Sequence, residues 1–207
     1  MNLWLTRHGN TFNPQDQVVR VGAKEDLPLT PQGFKQAEHL AQYFLQQKII
    51  FSHCYTGPLK RAKNFGEHIL KTMNYSLPVQ IDARLNELDY GDWGGLPDSE
   101  IQKRWPTDFF AWEESSQWPV QGKWGEGEAE VRKRVHHFFL ELKKKYNSQE
   151  HILVVSSNGL LRYFLTLVQG EFESRVRLKK LKMRTGAIGQ IKVHQEIPHL
   201  TMWDFRP

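Results

Sequence analysis

The stretch VRKRVHHFFLELKKKYNSQEHILVVSSNG, residues 131–159, decides the fold class. In its first half, apolar side chains recur every three to four residues up to Tyr146, which is the period of one buried helix face. In its second half, His151–Ser156 is an apolar, β-branched run that ends at Ser-Asn-Gly, and this is typical of a buried strand that opens into a loop. A helix followed by a buried strand is the repeating unit of α/β proteins.

The same alternation continues on both sides of this stretch. Leu3–Thr6 predicts a strand that ends at Arg7-His8-Gly9, and Thr30-Pro31 predicts the start of a helix with proline at its first position. The remaining predicted elements are strands at 52–55, 79–81, 188–193 and 200–203, and helices from about 58 to 70 and over 160–168. We therefore predict a single domain over residues 1–207, a three-layer α/β/α sandwich around a mostly parallel sheet.

Residues 77–124 interrupt this pattern. The segment has turn residues and no sustained period, and its middle is rich in Trp, Pro and Glu. We expect a short strand near 79–81, then loops and short helices that form an excursion over the site. Because specificity would come from this segment, the substrate itself is not predicted. Its tryptophans Trp105, Trp112 and Trp118 are expected to pack in the interior rather than to form a sugar platform.

Composition excludes several classes of protein. The 207 residues include seven Trp and twelve Phe, and 39% of the chain is hydrophobic, so a disordered chain is excluded. The single cysteine, Cys54, cannot form an internal disulfide or a Cys-x-x-Cys metal site. The first residues lack the apolar core of a signal peptide, and no window has the apolar length of a membrane span. We therefore expect a cytoplasmic protein with no membrane partner.

The net charge of +5 comes from one local segment. Residues 175–184 contain six basic side chains and no acidic one, so the rest of the chain has a net charge of −1. No nucleic-acid-binding motif accompanies this segment, and we expect a solvated basic face rather than a nucleic-acid site. Its expected role is to attract anionic substrates by steering.

Two predicted strands end in residues that could take part in catalysis or ligand binding. In open α/β sheets, ligands bind beyond the carboxyl ends of the strands. Arg7-His8-Gly9 follows the first strand, and Ser156-Ser157-Asn158-Gly159 follows the strand that starts at His151. The first triplet combines a cation, a nucleophile or base, and a glycine that permits close approach of a ligand. Alone it does not distinguish a structural histidine from a functional one.

Four motifs in order carry a family resemblance. They are LTRHGNT at 5–11, DLPLTPQG at 26–33 with Gln36-Ala37, GPLKRA at 57–62 and LNELDYGDW at 85–93. Glu126, followed eight residues later by Arg134, is a further element. Together they resemble the histidine phosphatase superfamily, the phosphoglycerate-mutase-like proteins, over nearly the whole chain. The resemblance implies an α/β fold, a small phosphorylated substrate and phosphoryl transfer without cofactor.

Phosphoryl transfer needs a nucleophile, cations on the phosphoryl oxygens and a proton for the leaving oxygen. The resemblance assigns His8 as the nucleophile that becomes a phosphohistidine. It assigns Arg7 and Arg61 to phosphate binding, and their planar guanidinium groups suit phosphate oxygens. No metal is expected, because the nine histidines show no ligand spacing and the arginines already neutralise the phosphate.

The resemblance also assigns residues with less certain spacing. Glu87 stands where the family places its proton donor. Asp89 and Asp92 are close to it in the sequence, and solvated loop acids are the usual explanation for such a cluster. Only its position in the motif distinguishes Glu87 from them. Asn13 stands near the position of a phosphate-binding asparagine, although one residue closer to the nucleophile. Arg20 is a possible cation of the pocket.

One departure from the family pattern affects the chemistry directly. The family has a second histidine after the late strand, in a Ser-His-Gly-Gly-like turn, and this chain has Ser157 there, followed by Asn158. A serine can donate a hydrogen bond to phosphate but carries no positive charge. Loss of one transition-state donor costs roughly 10²–10³ in rate, so we expect reduced activity. His151 lies about 20 Å away along the strand, whereas His194 and His199 could approach from the C-terminal part.

Three functions follow in order of preference. The first is hydrolysis of a phosphomonoester through a phosphohistidine on His8. The second, within the enzyme class, is a phosphomutase, and the resembled mutases carry more lid sequence than this chain. The third is a catalytically silent phosphate-binding or interaction protein. Loss of the second histidine favours it, and it is disfavoured by retention of Arg7, His8, Arg61 and Glu87. The oligomeric state is not predicted.

Overall fold

The computed structural model describes residues 1–207 and contains one six-stranded sheet in the order β3-β2-β4-β1-β5-β6. The strands are β1 Asn2–Arg7, β2 Phe51–Thr56, β3 Val79–Ile81, β4 His151–Ser156, β5 Ile188–His194 and β6 Ile197–Phe205. The first four pair in parallel, β5 is antiparallel to β1, and β5 and β6 form a hairpin. The mostly parallel sheet is confirmed.

Seven α-helices connect these strands. They are α1 Pro31–Gln46, α2 Lys60–Thr72, α3 Asp98–Arg104, α4 Pro106–Ser115, α5 Glu128–Lys145, α6 Asn158–Leu161 and α7 Glu171–Arg177. The helix predicted over 160–168 starts earlier, at Asn158, and continues from Arg162 to Leu167 as a 3₁₀ helix. None of the helices combines the length and the apolar content needed to cross a bilayer.

The two faces of the sheet are covered by separate apolar cores. Because side chains alternate along a strand, Leu3 and Leu5 of β1 point to one face and Trp4 to the other. Helices α1 and α2 pack on the Trp4 face, and α5 with the segment that follows β4 packs on the opposite face. The three-layer sandwich predicted from the alternating pattern is therefore confirmed.

The start of α1 fixes the loop that follows β1. Thr30 caps the helix, because its Oγ1 accepts a hydrogen bond from the N–H of Gly33 at 3.2 Å. Gly9 packs directly against Gly33, and a Cβ on Gly9 would lie 2.5 Å from the Gly33 carbonyl oxygen. Only glycine permits this approach, so His8 is held between the end of β1 and the first turn of α1.

The 77–124 segment consists of short elements, as predicted. Besides β3, α3 and α4, it contains 3₁₀ helices at Ala83–Leu85 and Gly91–Trp93. Trp112 is only 1% exposed, and Trp105 and Trp118 are half-buried and pack against the same core. Trp118 also donates its indole N–H to the Tyr163 hydroxyl at 2.6 Å. Asp108 holds the end of the segment in place, because its carboxylate accepts three hydrogen bonds from the backbone N–H groups of residues 120–122.

Candidate active site

A cavity of about 870 Å³ opens where β1 and β4 end. Five of the six side chains predicted for the site line it: Arg7, His8, Asn13, Arg61 and Glu87. The sixth, Ser157, does not, but its neighbour Asn158 does. The fold thus brings together residues that are up to 151 positions apart in the sequence, at the edge of the sheet where ligands bind in open α/β folds.

His8 is held as a neutral imidazole whose Nε2 carries the lone pair. Its Nδ1 hydrogen-bonds to the Gly9 carbonyl oxygen at 2.8 Å, and a carbonyl only accepts, so Nδ1 carries the proton. Nε2 in turn accepts a hydrogen bond from Arg61 Nε at 3.1 Å. Burial, and then the charges of Arg61 and Arg7, lower the pKa of His8 well below its ordinary value. The Nε2 lone pair is therefore available near neutral pH.

Arg61 is fixed by the loop that precedes α1. Its two terminal nitrogens donate to the carbonyl oxygens of Glu25 at 2.6 Å and Gly22 at 3.0 Å. The side chain is 1% exposed, and burial lowers the pKa of its guanidinium. Three hydrogen bonds, two to backbone carbonyls and one to His8 Nε2, hold the guanidinium beside His8 before a ligand binds.

Arg7 leaves most of its donors for a ligand. Only Nη1 is engaged, donating to the Met183 carbonyl oxygen at 2.8 Å, and Nε has no partner in the protein. Burial lowers the pKa of this guanidinium as well, while the negative charge of Glu87 opposes that shift. The site therefore places two cations beside one nucleophile, as the binding of a phosphoryl group requires.

Glu87 lines the same cavity and is 5% exposed. Its Oε1 accepts the backbone N–H groups of Leu88 and Leu160, both at 2.9 Å, and Oε2 accepts that of Gly159 at 3.1 Å. A Cβ on Gly159 would lie 2.4 Å from Oε1, so glycine is required for this contact. Oε2 has the free acceptor position, which makes it the oxygen that can hold a proton for a leaving group.

Arg134 supports the backbone beside Glu87. Its Nη1 donates to the carbonyl oxygens of Arg84 and Asn86, both at 2.7 Å, and its Nη2 pairs with Glu126 at 2.9 Å. The Glu126 and Arg134 element seen in the sequence thus holds the chain that presents Glu87, and neither residue lines the cavity.

The end of β4 presents Asn158 rather than Ser157 to the cavity. Ser157 is 2% exposed, makes no side-chain bond to the start of α6, and is absent from the cavity wall. Asn158 Oδ1 accepts the backbone N–H of Met183 at 2.8 Å, which fixes the orientation of the amide. Its Nδ2 donates to no acceptor in the protein. Asn158 thus presents a neutral hydrogen-bond donor at the end of β4.

Two further residues named from the sequence line the cavity. Asn13 is exposed, and its backbone and side-chain nitrogens both donate to Asp16 Oδ2, at 2.7 and 3.0 Å. Arg20 pairs with Asp98 at 2.6 Å and Glu113 at 3.2 Å. Both side chains are thus engaged within the protein.

Three histidines that the sequence left as candidates lie away from the cavity. His151 is at the start of β4, where its Nδ1 accepts the Trp4 indole N–H at 2.9 Å. His194 and His199 are exposed on the β5–β6 hairpin, and none of the three lines the cavity.

Several polar residues of the cavity wall were missed by sequence reasoning, among them Tyr90, Asn10 and Thr185. Tyr90 and Asn10 lie inside the quoted motifs, where they could have been marked, whereas Thr185 has no local signal. The Thr185 hydroxyl donates to Asn10 Oδ1 at 2.6 Å, and Gln36 Nε2 donates to the same oxygen at 3.1 Å. Burial raises the pKa of Tyr90, so its hydroxyl is a donor at neutral pH.

Comparison with known proteins agrees with this geometry. The family model of the histidine phosphatase superfamily, branch 1, matches residues 3–205. The chain belongs to the histidine phosphatase superfamily. It is 31% identical over 170 residues to the adenosylcobalamin/alpha-ribazole phosphatase of Escherichia coli K12, covering 82% of this chain and 80% of that one. It is 32% identical over 177 residues to the 2,3-bisphosphoglycerate-dependent phosphoglycerate mutase of Bartonella quintana, covering 81% of each.

A solved superfamily structure extends the similarity to the whole fold. The crystal structure of the alpha-ribazole phosphatase from Shigella flexneri matches with a TM-score of 0.77 and 26% identity, covering 100% of this chain and 97% of that one. The relatives in this superfamily thus include both phosphatases and phosphoglycerate mutases.

Proposed function

We propose that this protein hydrolyses a small phosphomonoester through a phosphohistidine on His8. The observation that carries the proposal is the state of His8, a neutral imidazole whose Nε2 accepts a hydrogen bond from Arg61 in a cavity that Arg7 also lines. A buried histidine kept for packing alone would not need two cations so close to it. The phosphatases among the relatives support the same reaction class.

In the first half-reaction, the free donors of Arg7 take the phosphoryl oxygens, and Arg61 Nε transfers its hydrogen bond from His8 to one of them. His8 Nε2 then attacks phosphorus, and the bond from phosphorus to the ester oxygen breaks. Glu87 Oε2 delivers a proton to that leaving oxygen, so an alcohol departs and the carboxylate is left ionised. The Gly9 carbonyl stabilises the Nδ1–H while His8 carries the phosphoryl group.

In the second half-reaction, water attacks the phosphoryl group on His8. Glu87 takes a proton from the water, the bond between phosphorus and Nε2 breaks, and its electron pair returns to Nε2. Inorganic phosphate leaves, and Glu87 is protonated again for the next turnover. Each residue ends in the state in which it began.

We further propose that turnover is slower than with a second histidine. Asn158 offers a neutral Nδ2 donor next to Ser157, and neither side chain brings a positive charge. A hydrogen bond to a charged group is worth about 1.5–3 kcal/mol, and loss of one transition-state donor costs roughly 10²–10³ in rate. Ser157→His is therefore expected to raise the rate, and an unchanged rate in a folded variant would contradict this part of the proposal.

Phosphate release from a panel of phosphomonoesters tests the function. Wild type, His8→Gln and the control His199→Gln, which makes the same change on an exposed strand, are compared. We expect turnover in wild type and in the control and none in His8→Gln. Transfer of phosphate to an acceptor hydroxyl faster than its release would instead favour a mutase. Binding of phosphoesters without turnover by any protein of the series would favour the silent phosphate-binding alternative.

A further inference from the structure

A buried cation without an acidic partner lies outside the catalytic cavity. Arg162 is 3% exposed and begins the 3₁₀ helix that continues α6. Its Nη1 donates to Ser116 Oγ at 3.0 Å, its Nε has no partner, and no carboxylate is within ion-pair distance. The guanidinium lies over the Trp112 ring at 4.4 Å, which compensates part of the charge. Burying a charge without a counterion is costly, so this arrangement calls for an anion.

Arg162 lines a second cavity, which could hold that anion. The cavity has a volume of about 140 Å³ and lies between α4, α7 and the segment after α7. At about 30 Å³ for each water, it has room for roughly five waters or one compact oxyanion. Arg175 and Lys179, from the basic segment 175–184, line it as well.

The charges on the cavity wall favour an anion. The lining side chains include four cations and two carboxylates. The Glu113 carboxylate is compensated, because Arg20 occupies one of its oxygens and Lys182 the other. Glu114 is exposed and can turn to solvent. Arg175 pairs through its Nε with Glu171 at 3.1 Å, which leaves its terminal nitrogens for a ligand. Because Lys179 forms no ion pair, the wall around the buried guanidinium remains positive on balance.

The two cavities are separate. They share no lining residue, and the Arg20–Glu113–Lys182 ion pairs stand between them, with Arg20 on the catalytic side and Lys182 on the other. The basic segment, which the sequence suggested as a steering rim, contributes no residue to the wall of the catalytic cavity.

We propose that this second cavity binds a small inorganic oxyanion of the phosphate or sulfate class. Arg162 is the buried anchor, and Arg175 and Lys179 close on the anion from the mouth. A planar guanidinium with free donors suits two oxygens of a tetrahedral oxyanion, and the flexible lysine supplies a third contact. The proposal does not depend on turnover at His8.

Counting bound phosphate tests this proposal. Equilibrium dialysis with radiolabelled phosphate at constant ionic strength gives the number of ions bound per chain. The variant Arg175→Ala/Lys179→Ala removes two charges from the cavity. Its control, Arg177→Ala/Lys180→Ala, removes two charges from exposed residues of the same segment outside it. We expect the first variant to bind one phosphate fewer than wild type, or that phosphate at least about tenfold more weakly, and the control to match wild type.

The number of phosphate ions bound per chain is compared between the two double variants. Equal binding by both, or equal weakening in both through bulk charge, would overturn the proposal, whatever the catalytic cavity binds. Arg162→Gln, checked for folding by circular dichroism, is expected to lose the same phosphate. Unlabelled sulfate should displace it, and a hexose phosphate, too large for this cavity, should not. Displacement by the hexose phosphate alone would contradict the proposed ligand class.

Discussion

Arg61 Nε lies 3.1 Å from His8 Nε2 and donates a hydrogen bond to the nitrogen that attacks phosphorus in the proposed reaction. Arg61 does not depend on His8 for its position, because two backbone carbonyls hold its other nitrogens. When a phosphoryl oxygen replaces Nε2 as the acceptor, the guanidinium need move little. The cation and the nucleophile are therefore arranged for the same ligand in advance.

The low pKa of His8 leads to a prediction about stability and pH. Because burial and the two arginines oppose its protonation, the folded protein takes up this proton only well below the ordinary value of 6.5. Just below that value the unfolded chain binds more protons, so the free energy of unfolding falls as the pH drops. One such group contributes at most about 1.4 kcal/mol per pH unit. We expect urea unfolding between about pH 7 and about pH 5 to show a steeper decline for wild type than for His8→Gln.

Equal slopes for the two proteins would contradict the assignment. The same would follow from an NMR titration in which the His8 ring protonates near its ordinary pKa.

Glu87→Gln tests the proton donor through the leaving group. The variant should lower turnover of an alkyl phosphate by about 10²–10⁴, because the alkoxide then leaves without a proton. Nitrophenyl phosphate should be affected much less, since nitrophenolate needs no proton. The control is Asp92→Asn, a carboxylate in the same motif that does not line the cavity. If both substrates lose the same factor, Glu87 acts by another route.

Asn158→Asp tests the neutral donor next to Ser157. An aspartate can still accept the Met183 N–H, so the fold should remain, but it removes the amide donor and adds a negative charge beside the phosphoryl group. We expect kcat/KM to fall by at least about tenfold, the lower end for a hydrogen bond to a charged group. Asn147→Asp is the matched control, because Asn147 Oδ1 also accepts a backbone N–H, in an exposed turn. A comparable loss in both variants, or none in either, would refute the role of Asn158.

Gly159→Ala should damage stability and activity together. The added methyl group would lie 2.4 Å from Glu87 Oε1 and 2.5 Å from the Tyr90 hydroxyl, so one or both must move. Overpacking of this kind costs about 1–3 kcal/mol, measurable by urea unfolding. We expect turnover of alkyl phosphates to fall as well, because Glu87 loses its place on the backbone N–H groups of α6. Full activity would show that this placement is not needed.

Much of the fold follows from local patterns. Thr30-Pro31 marked the start of α1, because a capping hydroxyl and a first-turn proline act within one turn of chain. The apolar run from His151 to Ser156 coincides with β4. The spacing of the apolar residues after β4 could not distinguish a 3₁₀ helix from an α-helix, because both helices bury a similar face. The helix α7, at Glu171–Arg177, was not predicted, because its charged residues show little apolar period.

Residues of the candidate site could be predicted where they belong to a recognisable sequence motif. His8, Arg61 and Glu87 came from ordered motifs, and the fold brings them to one cavity. Which of two consecutive side chains after β4 meets the cavity depends on how the turn leaves the strand, so the sequence pointed to Ser157 where Asn158 lines the wall. The contact between Asn10 and Thr185 joins distant segments, and no local pattern encodes it.

Trapping of the phosphorylated protein shows directly whether His8 is the nucleophile. Wild type is mixed with a phosphomonoester that it turns over, quenched rapidly in base, where phosphohistidine survives, and analysed by peptide mass spectrometry. We expect a phosphoryl group on His8 that is lost on acid treatment, present in His199→Gln and absent from His8→Gln. Steady release of phosphate with no phosphoryl group on His8, or with the group on another residue, would contradict this role of His8.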